Sequence, residues 1–249
     1  MENSNSKFNE LERLNTDLDA ILGARLEAGA SYTDSKQLFT IFVIAKASRT
    51  HEAVTLLCKN GFGEDAFMLS RTLFELLIIF LYILADEKDD RLARYMEYDH
   101  ITRKKLYNHI ATRPELLNDG RATPEIFQQI RGAYEDVKDN YEKPFTWSDK
   151  SIEEMSKEVG RWETYKTAYK LQCILSHSES RSMNEYFKEE DGALVVDMGA
   201  KTNLIEQSLA INFDFFFSVI EKANEVFSFG LEKQLEDVSK RYADFISKK

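Results

Sequence analysis

The sequence predicts an all-α protein: a multi-helix up-and-down bundle with a loop-rich or short β-hairpin insertion near 180–200. Three observations lead there. Only 10 Gly and 3 Pro occur among 249 residues, too few turn residues for a β-sandwich or barrel of this length. Apolar residues recur at three- and four-residue steps through most of the chain, the period of a helix face. One stretch, Glu64–Ala85, is apolar nearly all round beyond Arg71, as a helix buried on most sides is. A hydrophobic content of 43% with 31% charged residues supplies a sizeable core and excludes disorder throughout.

In chain order, Phe8, Leu11, Leu14, Leu18, Ile21 and Leu22 mark an amphipathic helix over 8–22, with Gly23 close to its end. Asp34 or Ser35 caps the next helix. It carries Leu38, Phe39, Phe42, Val43, Ala47, Val54 and Leu57 and stops at Asn60-Gly61. Glu64 and Asp65 then place negative charge at the start of the central helix, where the helix dipole favours it. A fourth helix spans roughly Arg91–Ile110, with one buried stripe among many charges. Thr112–Thr123, with Pro114 and Gly120, reads as a loop, and Pro124 suits the first turn of a helix reaching Tyr141. Ser151 and Glu154 have capping-box spacing for a short helix to Val159. Gly160 separates it from a helix over Arg161–His177. Ala193–Asp197 reads as a hairpin arm or an extended loop. A long helix over about Asn203–Phe229 and a last one within Leu231–Lys249 complete the chain. Together they predict one helical domain over 1–249, its core about 34–230, flanked by helices 8–22 and 231–247. Short turns between antiparallel neighbours favour that arrangement.

The formal net charge of −10 argues against broad nonspecific nucleic-acid binding, which needs a basic face, but leaves room for a local basic groove. Cys58 and Cys173 lack metal-type spacing and are expected as buried reduced thiols. The start, MENSNSKFNELERL, has no signal-peptide pattern. The unbroken apolar run Leu76–Ala85 is well short of the ~20 residues a membrane span needs. A cytoplasmic protein without membrane contact is the expectation.

Arg71 and Glu75 stand one turn apart on the central helix and so share a face. In so apolar a helix each needs a partner, because desolvating a lone charge costs several kcal/mol, on the order of effective ion-burial penalties. Two readings stay open: an ion pair locking the bundle, or the charged floor of a polar pocket. Tyr165 and Tyr169 share a second helix face, and Ser176 and His177 follow about two turns on. A histidine at a helix C-terminus also has a purely structural reading, favoured by the dipole. Arg94–His100 and Arg103–His109 each fit Arg, five residues, His. Solvated charges on a surface helix explain them equally. Phe145 and Trp147 are loop aromatics that either form a surface or fold back on the core. No phosphate-binding glycine loop, paired-cysteine spacing or His-Glu-x-x-His occurs, so neither a metal nor a cofactor is expected.

The segment LCKNGFGEDAFMLSRTLFELLIIFLYIL resembles a widespread bacterial family of helical domains of unknown function. The matching positions are Gly61, Ala66, Arg71 and Glu75, and later Tyr165, Tyr169, Ser176 and His177. The resemblance covers roughly Phe39–Phe229. It implies Arg71, Glu75 and His177 as catalytic residues, with Tyr165, Tyr169 and Ser176 as binding residues. The family is similar in turn to the HEPN class of helical bundles, many of them metal-independent ribonucleases in toxin and phage-defence systems. That class uses Arg, four to six residues, His, contributed twice across a dimer; Arg94 with His100, or Arg103 with His109, are the counterparts here. The resemblance thus implies an endoribonuclease of defence or stress response, with RNA as partner and a homodimer as its assembly. The alternative is a non-catalytic module in which Arg71, Glu75 and His177 bind a ligand or partner protein, or merely satisfy one another.

Overall fold

The computed structural model describes residues 2–27, 29, 31–113, 123–141, 146–196, 199–200 and 202–247. Its architecture is all-α with one small antiparallel strand pair. The residues group into two compact units: Met1–Tyr82 with Met155–Lys249, and Ile83–Glu154.

In the first unit, α1 (Glu2–Glu27) buries Leu11, Leu14, Leu18 and Leu22. It continues through Gly23, expected near its end, because a single helical glycine costs only about 1 kcal/mol against alanine. Helix α2 (Ser35–Lys59) starts at Asp34, whose carboxylate accepts from Gln37 N at 2.8 Å. Gly61 follows α2 with a φ of +82°, the left-handed conformation glycine adopts without strain. Of the expected α2 stripe, Phe39, Val43, Ala47 and Val54 are buried, whereas Leu38 and Phe42 are exposed.

Helix α3 (Gly63–Leu84) begins against the start of α9 (Ile205–Phe227). Ser208 Oγ donates to Gly63 O at 3.0 Å, and a Cβ on Gly63 would lie 2.0 Å from Asn203 O. That close approach requires glycine. By length and composition α3 could cross a membrane, alone among the described residues. Here Leu73, Phe74, Leu77, Ile78 and Phe80 are fully buried in protein.

Helix α9 packs on α1 and α2 and buries Phe213, Phe215, Phe216, Val219 and Ile220. Helix α10 (Glu232–Ser247) buries Leu235 and Val238. Its Tyr242 stacks on Phe213, ring centroids 4.2 Å apart, and donates to Ala210 O at 3.0 Å.

A buried polar knot ties α1, α2 and α9 together. Asn15 Nδ2 donates to Leu11 O at 2.8 Å and Leu209 O at 3.0 Å. Those fixed carbonyls orient the amide, so its Oδ1 faces His51 Nε2 at 2.9 Å and Asn212 Nδ2 at 3.2 Å. His51 Nδ1 lies 3.1 Å from Asp19 Oδ1. The His51 ring is fully buried and stacks on Phe216 at 4.1 Å.

The second unit contains α4 (Asp90–Ala111) packed on α5 (Pro124–Val137), with Tyr107 and Phe127 edge to face at 4.8 Å. Thr123 caps α5, and Pro124 occupies its first turn. The helix expected to reach Tyr141 stops at Val137 and tightens into a 3₁₀ turn, Lys138–Asn140. Tyr141 is buried, and its hydroxyl donates to Arg94 O at 2.7 Å. Trp147 is half-buried and edge-on to Tyr95 at 5.2 Å; it folds back on its own unit. Phe145, Pro114 and Gly120 lie outside the described residues.

The capping box of α6 (Ile152–Glu158) forms: Ser151 N donates to Glu154 Oε2 at 2.8 Å, and Glu154 N donates to Ser151 Oγ at 3.3 Å. In the first unit, α7 (Trp162–Thr164), a π turn (Tyr165–Tyr169) and α8 (Lys170–Ser176) follow one another without a break. The insertion is a hairpin. β1 (Phe187–Glu190) pairs with β2 (Ala193–Val196), Glu190 opposite Ala193. Asp191 and Gly192 both have positive φ, as a two-residue hairpin turn requires. Asp197 lies outside the described residues.

Candidate functional site

The site begins with a choice forced on α3. Its apolar faces are taken up by the core, so Arg71 and Glu75 occupy the side left toward α8. Both are partly buried, with 23% and 32% of their side-chain surfaces exposed. Arg71 Nε donates to Glu75 Oε1 at 3.0 Å. Tyr169 donates its hydroxyl to the same oxygen at 2.8 Å, and the Arg71 guanidinium sits 5.4 Å from the Tyr169 ring centroid. Arg71 Nη1 lies 3.3 Å from His177 Nε2. A guanidinium only donates, so this contact uses the imidazole lone pair and a neutral ring protonated at Nδ1.

The elements hold these groups in place. Below the charges, fully buried Gln172 Nε2 donates to Ser70 Oγ at 2.7 Å, and Ser70 Oγ donates to Phe67 O at 2.7 Å. This pins α8 to α3. The π turn brings Tyr165 and Tyr169 into a stack at 5.0 Å, continued by Trp162 on Tyr165 at 5.4 Å. Phe74 packs beside Tyr169 at 5.1 Å. Single π turns inside helices concentrate at functional sites. His177 follows the end of α8 and is exposed.

The electrostatics follow from this packing. Burial pushes the Tyr169 hydroxyl up, and its hydrogen bond to Glu75 pushes the same way, so it stays a donor across the neutral range. Burial weakens the charged form of Arg71, but the Tyr169 hydroxyl and the Glu75 charge outweigh that and hold it above its ordinary value. The quartet is therefore a fixed cation held by a carboxylate and a phenol, with an exposed imidazole beside it.

Arg71, Glu75, Tyr169 and His177 come together. Tyr165 stands one ring behind them. Ser176 donates its hydroxyl to Gln172 O at 2.7 Å, one turn beyond the residue that pins α8 to α3. Gln172 and Ser70 were missed, although a glutamine three residues after Tyr169 on the same helix was a usable signal. Within the single chain, the arginines of the sequential Arg–His pairs have other partners. Arg94 donates to Trp147 O at 3.4 Å, pairs with Asp149 at 3.3 Å and lies against Tyr141. Arg103 pairs with Asp99 at 2.7 Å and lines a cavity with His100, three residues before it. No hydrogen bond joins Arg94 to His100 or Arg103 to His109 among the described residues.

Neither thiol is bridged. Cys58 is buried and its thiol is pushed up to about 12 by burial. Cys173, expected to be buried, is only half-buried. Among the described residues no three His, Cys, Asp or Glu side chains gather as metal ligands.

A family profile matches residues 37–194, well over half of the chain. The chain belongs to DUF5677, a family of unknown function. The DUF5677 match takes in every residue of the quartet, together with Tyr165, Ser70 and Gln172, and ends before α9. This fits the expected membership in a family of unknown function. No curated protein and no solved structure matches the chain.

Proposed function

We propose that this DUF5677 protein is a HEPN-like, metal-independent endoribonuclease whose working groups are Arg71 and His177. One observation carries the reading: a partly buried guanidinium, fixed by Glu75 and Tyr169, sits 3.3 Å from the Nε2 of an exposed imidazole. A positioned cation beside a group that can take a proton is what phosphodiester transesterification needs.

In that reaction an RNA phosphate sits against the Nη side of Arg71, whose Nε is already engaged by Glu75. The phosphate draws Arg71 Nη1 away from His177, and the freed Nε2 lone pair takes the proton of the 2′-hydroxyl. The 2′-oxygen attacks phosphorus, and the bond from phosphorus to the 5′-oxygen breaks. Water protonates the leaving oxygen, and the hydroxide that remains takes the proton back from His177. The products are a 2′,3′-cyclic phosphate and a 5′-hydroxyl. Arg71 balances the charge that builds on the non-bridging oxygens, and Tyr169 and Glu75 act as positioning residues behind it. The resemblance points to a defence or stress-response setting.

The test is cleavage of total RNA by the full chain in excess EDTA, beside Arg71→Ala and His177→Ala. The expected result is cleavage with cyclic-phosphate ends that both substitutions abolish. Folded protein that leaves RNA intact, or cleavage unaffected by either substitution, overturns the reading. A second reading, RNA recognition without cleavage, is favoured by the presence of a single imidazole in the quartet. Under it, RNA binds intact and both substitutions weaken binding.

A further inference from the structure

The second unit holds a cavity of about 250 Å³ between α4 and α5, far along the chain from the quartet. Among the described residues, Lys104, Lys105, Arg131 and Lys138 line it, with Tyr134, Tyr141 and one carboxylate, Glu135. Four cations therefore face one anion, in a protein whose net charge is −10. Like charges at such a concavity repel one another, and an acidic chain has carboxylates to spare for neutralising them. Their concentration here, with Glu135 the one carboxylate among the described lining residues and Asp139 acting on Lys138 from beside them, is a local exception to the composition.

The charges act together. Glu135 is held below the usual carboxylate range first by its hydrogen bond to Lys138, with Arg131 and Lys104 adding their fields. Lys138 Nζ pairs with Glu135 at 2.6 Å. Lys104 is hydrogen-bonded to Asn108 and lies 6.0 Å from the Tyr134 ring centroid. Lys105 lies 5.8 Å from the Tyr98 centroid. Contacts of this kind hold long cationic side chains near one position and reduce the entropy lost when they close on an anion.

We propose that this cavity is a binding site for a small oligophosphate, the di- or triphosphate group of a nucleotide. Among the described lining residues the cations exceed the carboxylate by three, with Asp139 outside the lining acting on Lys138, and that excess matches an oligophosphate better than a monophosphate. Lysines and one arginine are the ordinary donors for phosphate oxygens. The rings of Tyr134 and Tyr141 add an apolar wall, and the Tyr134 hydroxyl a donor; the Tyr141 hydroxyl is already given to Arg94 O. Nothing in this reading depends on Arg71 or His177.

The experiment is titration calorimetry of the full chain with ATP, tripolyphosphate, AMP and adenosine. The variants are Lys104→Gln, Arg131→Gln and the pair together, with Arg103→Gln as control on the same helix. Circular dichroism verifies each fold. ATP and tripolyphosphate should bind, AMP at least tenfold more weakly, and adenosine without detectable heat. The paired substitution should weaken ATP at least tenfold while Arg103→Gln leaves it within twofold. Binding should also weaken with rising salt. Absence of ATP and tripolyphosphate binding at millimolar concentration overturns the proposal. So does binding that survives the paired substitution. A short RNA lacking terminal phosphates that binds more tightly than ATP, and loses that affinity in the paired variant, would assign the cavity to a nucleic-acid strand instead. RNA cleavage lost in Arg71→Ala but kept in the paired variant separates this site from the proposed active site.

Discussion

Tyr169→Phe is the sharpest probe of how the quartet is built. It removes one hydroxyl, which donates to Glu75 Oε1 at 2.8 Å, and leaves the ring between Tyr165 and Phe74. No cavity opens, so the effect is that of the hydrogen bond. Bonds to charged acceptors contribute roughly 1.5–3 kcal/mol. Glu75 is about one-third exposed, so water replaces part of the loss and the expected cost falls to about 1 kcal/mol. For a chain of this length that lowers the midpoint of thermal unfolding by about 2–4 °C. Urea denaturation at pH 7 measures the free energy. A double-mutant cycle with Glu75→Ala should return a coupling of at least about 0.5 kcal/mol. A cost below about 0.3 kcal/mol, or strict additivity with Glu75→Ala, would show that the hydroxyl and carboxylate do not meet as described.

Three further outcomes follow from the first unit. Gly63→Ala drives a methyl against Asn203 O and Ile205 and should cost about 1–3 kcal/mol by urea denaturation, as overpacking does. Asn15→Ala strips partners from His51 and Asn212 inside the core and should cost about 2–4 kcal/mol, read from the thermal midpoint. Because burial raises the Cys58 thiol to about 12, the folded state holds that proton more tightly than the unfolded state, where the thiol ionises near its ordinary 9. Its contribution is thus complete below pH 9 and lost as pH rises toward 12. Each group of this kind changes stability by at most about 1.4 kcal/mol per pH unit. Cys58→Ala should therefore flatten the alkaline limb of a pH–stability curve measured under reducing conditions.

Much of the fold was legible because its signals are local. Helical periodicity, the Asp34 cap, Pro124 in a first turn and the Ser151/Glu154 box each lie within a few residues of the structure they specify. The distant pairing of Arg71 with His177 was reached through resemblance, since nothing local links residues on two helices. What stayed hidden depends on three dimensions. The π turn that stacks Tyr165 on Tyr169 has no periodic signature distinct from an ordinary helix. Asn15, His51 and Asn212 each look like isolated polar residues on apolar faces, and only packing reveals one knot. The direction of Ser176 was equally invisible, because its choice to bond back to Gln172 O is a rotamer.

The central claim is that Arg71 and His177 act on one phosphate as a unit. A kinetic cycle on RNA cleavage in EDTA, comparing the parent, Arg71→Ala, His177→Ala and the double variant, tests it most directly. Residues that act as a unit give strongly non-additive losses. The account predicts that the double variant is no slower than the slower single variant. Rates falling by the product of the two single effects, or single variants that cleave at the parent rate, would contradict it.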